Sequence, residues 1–274
     1  MGMYCYQCQE AAKNVSCTIT GVCGKDEEVA KLQDMLIYLL KGISIWAVKA
    51  RELGVNDEEV DLFVVEGLFA TITNVNFDDE RFVEYINRAF EVRENIKNGF
   101  FKAYQSKSKQ EFEEPLHDAA TWYGNGKQAF LEKAVSIGIL SEKDEDIRSL
   151  KELLIYGIKG IAAYVDHAYV LKHKSEEIFA FVETALAETT RNDITVDELL
   201  SLVLKTGEMA VKTMELLDKA HTTTYGNPEI TEVYTGTLEG PAILVSGHDL
   251  LDLEELLKQA EGKGINIYTH SEML

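Results

Sequence analysis

The sequence predicts a mainly α fold. A cysteine-rich N-terminal loop leads into helical bundles, two of three-helix type, and then the start of a Rossmann-like α/β domain. Three observations predict it. All four cysteines of the 274-residue chain, Cys5, Cys8, Cys17 and Cys23, fall within its first 23 residues. From Asp26 to Ala220 apolar residues recur at helical spacing in a series of capped segments. After His221 the texture turns to Thr, Gly and Pro, and then to a strand, helix, strand pattern. The expected organisation is a cysteine loop over 1–25, a helical double bundle over 26–221, a linker over 222–241 and a first βαβ unit over 242–274.

Asp26 is placed to cap the first helix, with Glu27 and Glu28 in its favourable first turn. Val29, Leu32, Met35, Leu36, Leu39, Leu40 and Ile43 then mark its apolar face, and Gly54 stops it. A second helix starts at Asn56 or Asp57 and ends near Asn74; a third runs from about Asp78 towards Tyr104. Three amphipathic helices with short joints read as a bundle. Between Gln105 and Gly126 the periodicity fails, and this stretch reads as a surface linker docked back by Trp122 and Tyr123. Trp122 fits a packing residue better than the wall of a channel.

A second set of helices follows: Lys127 to Ile137, a long one capped by Asp144 to about Leu171, and Glu176 to Thr189. Thr195 and Glu198 form a capping box for a further helix to Ala220. His167 and His173 lie six apart, off any shared helical face, and read as surface or capping residues. Ala242–Ser246 and Ile265–Tyr268 read as strands around a helix from Leu250 to about Ala260, which makes them parallel neighbours.

The formal net charge is −20, from 47 acidic and 27 basic residues. Such a charge repels phosphate backbones and anionic lipid, which argues against nucleic acid or a membrane surface as partner. No apolar run reaches the roughly 20 residues that span a bilayer. No secretion signal precedes the cysteines, and the expected compartment is a reducing cytoplasm.

The cysteines are spaced C-x2-C-x8-C-x5-C. Four thiolates in one short segment repel each other unless a cation or cluster takes up their charge. Zinc usually appears as two CxxC-type pairs, and only one is present here. Single cysteines on a wrapping loop suit an iron–sulfur cluster, and two disulfides satisfy the count alone. All three stay open on spacing. Gly21 and Gly24 flank Cys23, where a missing Cβ permits close approach to a cluster, or only a turn. Tyr4 and Tyr6 either shield a cluster or pack the loop on the next helix.

Residues Met3 to Ala12, followed by Cys17 and by Val22 to Lys25, resemble the N-terminus of the hybrid cluster proteins, also called prismane proteins or hydroxylamine reductases. The resemblance implies that Cys5, Cys8, Cys17 and Cys23 hold a [4Fe–4S] cubane that relays electrons from a redox partner protein. The carbon monoxide dehydrogenases are similar in fold but fit these motifs less well.

Ligands of parallel α/β sheets bind at the carboxyl ends of the strands, and His248 and Glu272 follow the two strands here. On residue pattern alone, a loop histidine beside a helix cap accounts for most of that signal. Leu244 to Leu250 and Tyr268 to Leu274 resemble the segments carrying the first His and Glu ligands of the family's hybrid Fe–S–O cluster, and His248 and Glu272 are the matching positions. The run from Asp252 to Gly262 is also similar.

One departure matters. Family members are about twice as long, and no cysteine follows Cys23 to supply the remaining hybrid-cluster ligands. The hybrid cluster is therefore not expected to assemble fully. The chain is expected to be a fragment of a longer protein, or a shortened homologue with a partner chain; ending just after Glu272 favours a fragment. The resemblance implies that the parent reduces hydroxylamine, a small N–O substrate, to ammonia and water, with nitric oxide chemistry also associated. The chain alone is expected to be inactive. Two other readings are a non-catalytic iron–sulfur electron-transfer or docking module and a zinc-stabilised helical interaction protein.

Overall fold

The fold is mainly helical, with eight α-helices and one two-stranded parallel sheet among the described residues. The computed structural model describes residues 3–73, 75–108, 110–247 and 249–273. The helices are α1 (Glu27–Glu52), α2 (Glu58–Ala70), α3 (Asp79–Lys107), α4 (Lys127–Ile137), α5 (Glu145–Val170), α6 (Glu176–Glu188), α7 (Val196–Tyr225) and α8 (Leu250–Ala260). Strands β1 (Ala242–Ser246) and β2 (Asn266–His270) complete the set. The chain forms two compact units, residues 1–166 with 175–214, and residues 167–174 with 215–274.

In the first unit α1 is central and packs against α2, α3, α4 and α6. Leu32, Met35, Leu36, Leu39, Leu40, Ile43 and Ala50 have no exposed surface, as expected of a helix surrounded on all sides. Its start follows the sequence: the Asp26 carboxylate accepts from the Val29 N–H at 2.8 Å. Asp144 caps α5 through the Asp146 and Ile147 N–H groups, both at 3.0 Å. The capping box of α7 also forms, with the Thr195 N–H donating to Glu198 at 2.8 Å and the Glu198 N–H returning to Thr195 Oγ1 at 3.3 Å.

The linker expected over 105–126 is not wholly a surface segment. A 3-10 turn at Asp118–Ala120 buries Ala119 and Ala120 completely. Two side chains tie it down: Arg93 Nη1 donates to Ala119 O at 2.8 Å, and Trp46 Nε1 donates to Ala120 O at 3.0 Å. Buried backbone carbonyls need such partners, and the sequence gives no local sign of donors 26 and 74 residues away. Trp122 packs on Tyr38 and Phe90, as a packing residue should.

Two helix ends move. α2 stops at Ala70 rather than near Asn74, which lies outside the described residues; its backbone bonds tighten there to i−3, from Thr71 N–H to Leu68 O at 3.1 Å and from Ile72 N–H to Phe69 O at 3.0 Å. α7 continues to Tyr225, past Ala220, with Thr222 Oγ1 bonded to Asp218 O at 2.8 Å. Threonine can satisfy its hydroxyl on the preceding turn and so remain helical.

In the second unit β1 and β2 run parallel, in register from Ala242 opposite Asn266 to Ser246 opposite His270. Asp249 caps the intervening α8 through the Leu251 and Asp252 N–H groups. β2 spans Asn266–His270 rather than Ile265–Tyr268, so His270 is its last residue.

Candidate metal centre in the cysteine loop

The loop is built on a short antiparallel pairing of two of its cysteines. The Cys5 N–H donates to Cys17 O at 3.1 Å and the Cys17 N–H donates to Cys5 O at 2.8 Å. Between them the chain reverses through a 3-10 turn, Ala12–Asn14, with Lys13 and Asn14 at positive φ. That pairing anchors two thiols from opposite ends of the C-x2-C-x8-C stretch on adjacent backbone. Met3, Cys17 and Ala30 form a small apolar cluster, with Cys5 and Ala12 packed against it.

All four thiols are free. Cys17 is buried, Cys5 and Cys8 are half-buried, and Cys23 is exposed. Two donors already address sulfur: the Ala12 N–H lies 3.4 Å from Cys17 Sγ, and Gln7 Nε2 lies 3.9 Å from Cys5 Sγ. A Cβ on Gly21 would sit 3.0 Å from Cys23 Sγ, so this glycine admits the sulfur where it stands. Gly24, at φ 94°, makes the turn that returns the chain to Lys25. Among the described residues no three His, Cys, Asp or Glu groups converge tightly enough to hold one metal ion. A zinc ion would require four donors about 2.0–2.3 Å from one point.

Charged side chains back the loop, and the sequence pattern alone does not bring them there. Lys25 is 1% exposed and its Nζ donates to Gln33 Oε1 at 2.5 Å. Lys159, also buried, donates to Thr71 O at 3.1 Å and to Gln7 Oε1 at 3.3 Å. Burial lowers its ammonium to about 8. The one available signal was a charged residue on an apolar stripe: Lys159 is flanked by Ile155, Ile158 and Ala162, all buried. Tyr6 lies edge-on to Tyr156 of α5 with ring centroids 6.1 Å apart, and its phenol is pushed up to about 12 chiefly by burial. Tyr6 therefore packs the loop as a neutral ring.

The carboxyl ends of β1 and β2 adjoin, and Ser246 Oγ lies 3.1 Å from His270 Nδ1. His248, expected just beyond β1, lies outside the described residues. Glu272 falls in the 3-10 turn Ser271–Met273 directly after β2, and its side chain also lies outside them. His173 serves as a cap, its Nδ1 lying 3.0 Å from Leu171 O, while His167 Nδ1 lies 3.4 Å from Asp249. No helix among the described residues is long and apolar enough to cross a membrane.

The family model described as Prismane/CO dehydrogenase matches residues 3–274. The chain belongs to the Prismane/CO dehydrogenase family. It is similar to the hydroxylamine reductase of Petrotoga mobilis, 63% identical over 276 residues, which cover 100% of this chain and 51% of that protein. The hydroxylamine reductase of Thermosipho melanesiensis is 63% identical over 273 residues, 99% of this chain and 50% of that one. That of Nitratidesulfovibrio vulgaris is 56% identical over 272 residues, 99% and 49% respectively. The chain thus spans about half the length of the curated prismane relatives it matches.

Proposed function

We propose that this chain is the N-terminal half of a hydroxylamine-reducing oxidoreductase, and that Cys5, Cys8, Cys17 and Cys23 hold a [4Fe–4S] cluster. The observation that carries the proposal is a loop of four free thiols backed by the buried ammonium groups of Lys25 and Lys159. The similarity of the whole chain to about half the length of hydroxylamine reductases supports it. When bound, such a cluster supplies one-electron transfer.

The chain's own residues have distinct tasks around it. Ala12 N–H and Gln7 Nε2 direct hydrogen bonds at ligand sulfurs, which disperses thiolate charge. Lys25 and Lys159 offset negative charge from a region of low dielectric. Met3, Ala12 and Ala30 keep water from Cys17. His248 and Glu272 would give one imidazole and one carboxylate to a second, hybrid iron centre, which needs thiolates that no residue after Cys23 provides. Electrons would come from a redox partner protein, and a cytoplasmic location suits thiolate ligands.

Anaerobic reconstitution of the 274-residue chain tests this. About four irons and four labile sulfides per chain are expected, with no hydroxylamine turnover. One zinc per chain in a colourless protein would overturn the cluster assignment. Hydroxylamine reduction at the rate of a complete enzyme would overturn the division of labour.

A further inference from the structure

The cavity of about 360 Å³ walled by α1, α4 and α5 in the first unit is not used by the proposed function. Its volume lies within the range of small-ligand sites. Four cations and four acids line it. Two pairs cancel directly, Lys133 with Asp118 at 2.7 Å and Lys151 with Glu142 at 3.0 Å. That leaves Lys41 and Arg148 against Asp34 and Glu152. No carboxylate among the described residues lies within ion-pair distance of Lys41, and Arg148 reaches only the backbone carbonyl of Glu142, at 3.1 Å.

We propose that this cavity binds a small oxyanion on Lys41 and Arg148, beside Asp34. The anion supplies a direct ion-pair contact to both cations, where Lys41 otherwise has only the longer-range attraction of Glu152 and Asp34.

The surrounding groups give the pH dependence. Asp34, on α1, is pushed up to about 7, chiefly by burial and then by the Glu152 carboxylate, while Lys159, Lys25 and Lys41 oppose the rise. Burial also raises Glu152 and lowers Lys41. Of the other groups on the walls, His117 is held below its ordinary value and Tyr38 well above, both chiefly by burial. At pH 6 Asp34 is mostly protonated, so it donates to an anion and leaves Glu152 as the remaining carboxylate that favours the charge on Lys41. At pH 8 it is ionised, repels the anion and neutralises Lys41. Linkage to one group near pH 7 weakens binding about tenfold between those values.

Calorimetric titration of the full chain with sulfate and, separately, with acetate is the test, since both probes keep their charge from pH 6 to 8. Saturable binding of at least one is expected at pH 6, weakened about tenfold at pH 8 and at least tenfold by Lys41→Met. Asp34→Asn should remove most of the pH dependence. Arg148→Gln gives the same loss as Lys41→Met should the latter fail to fold. The proposal is overturned if neither probe binds at pH 6, if the folded cation variants bind as the parent does, or if Asp34→Asn leaves the pH dependence intact. None of these outcomes depends on a metal in the cysteine loop.

Discussion

The guanidinium of Arg51 on α1 donates its Nε to Glu183 on α6 at 2.7 Å, and Glu183 keeps only 1% of its side-chain surface. Arg51 also donates to Asp61 on α2, at 2% exposure, and to Glu176 at 3.2 Å. One cation thus joins three helices through two buried carboxyls. Removing it strands both. Arg51→Met is expected to cost about 3–5 kcal/mol in a denaturant titration at pH 7.

The same cluster sets a pH dependence. Glu183 is pushed well above the usual carboxylate range, by burial first and then by Asp61 beside it. An acid whose folded pKa is raised binds its proton more tightly in the folded state. Its contribution is full below the unfolded carboxylate value of about 4.3 and is lost as pH rises through the folded value. Glu183→Gln keeps the acceptor for Arg51 without the ionisation. It should flatten part of the decline in stability measured from pH 5 to pH 8; an unchanged slope would place that decline elsewhere.

Gly42 is where α1 meets the buried turn at Asp118–Ala120. A Cβ there would stand 2.0 Å from Ala119 O and 2.5 Å from Ala119 C, both backbone atoms already held by Arg93. No side-chain rotation relieves that clash. Gly42→Ala should destabilise the first unit by about 1–3 kcal/mol, read as a lower thermal midpoint, although alanine is the better helix former.

Gly21→Ala tests the loop geometry. The new Cβ would lie 3.0 Å from Cys23 Sγ and 3.2 Å from Lys25 Cβ. Lys25 is buried and cannot yield, so the cysteine must rotate away. Lower iron and sulfide content after anaerobic reconstitution is expected, with the helical circular dichroism unchanged. Full cluster content would show that Cys23 need not occupy its present position.

Local chemistry made much of the fold legible. The caps at Asp26, Asp144 and Thr195 and the apolar spacing of α1 depend on neighbours within a turn or two, and they appear where the sequence puts them. α2 ended early where its backbone bonds tighten to i−3 at Thr71 and Ile72, whereas the Thr222 hydroxyl bonds the preceding turn and α7 continues. The buried turn at Asp118–Ala120 is not legible in the sequence, since the donors that make it possible are remote in the chain.

By itself the sequence determined which residues could carry thiolate chemistry, since all four cysteines are concentrated in one short loop. It also determined the order of the helices and the parallel pairing of the last two strands, because these follow from periodicity and connection length. Only the tertiary structure decided what surrounds those residues. It set Lys25 and Lys159 behind the loop, joined Arg51 to two buried acids, and gathered Lys41, Arg148 and Asp34 around one cavity. The physical reason is range: a cap is satisfied within four residues, whereas a buried charge is stabilised by whatever groups packing brings beside it, from anywhere in the chain.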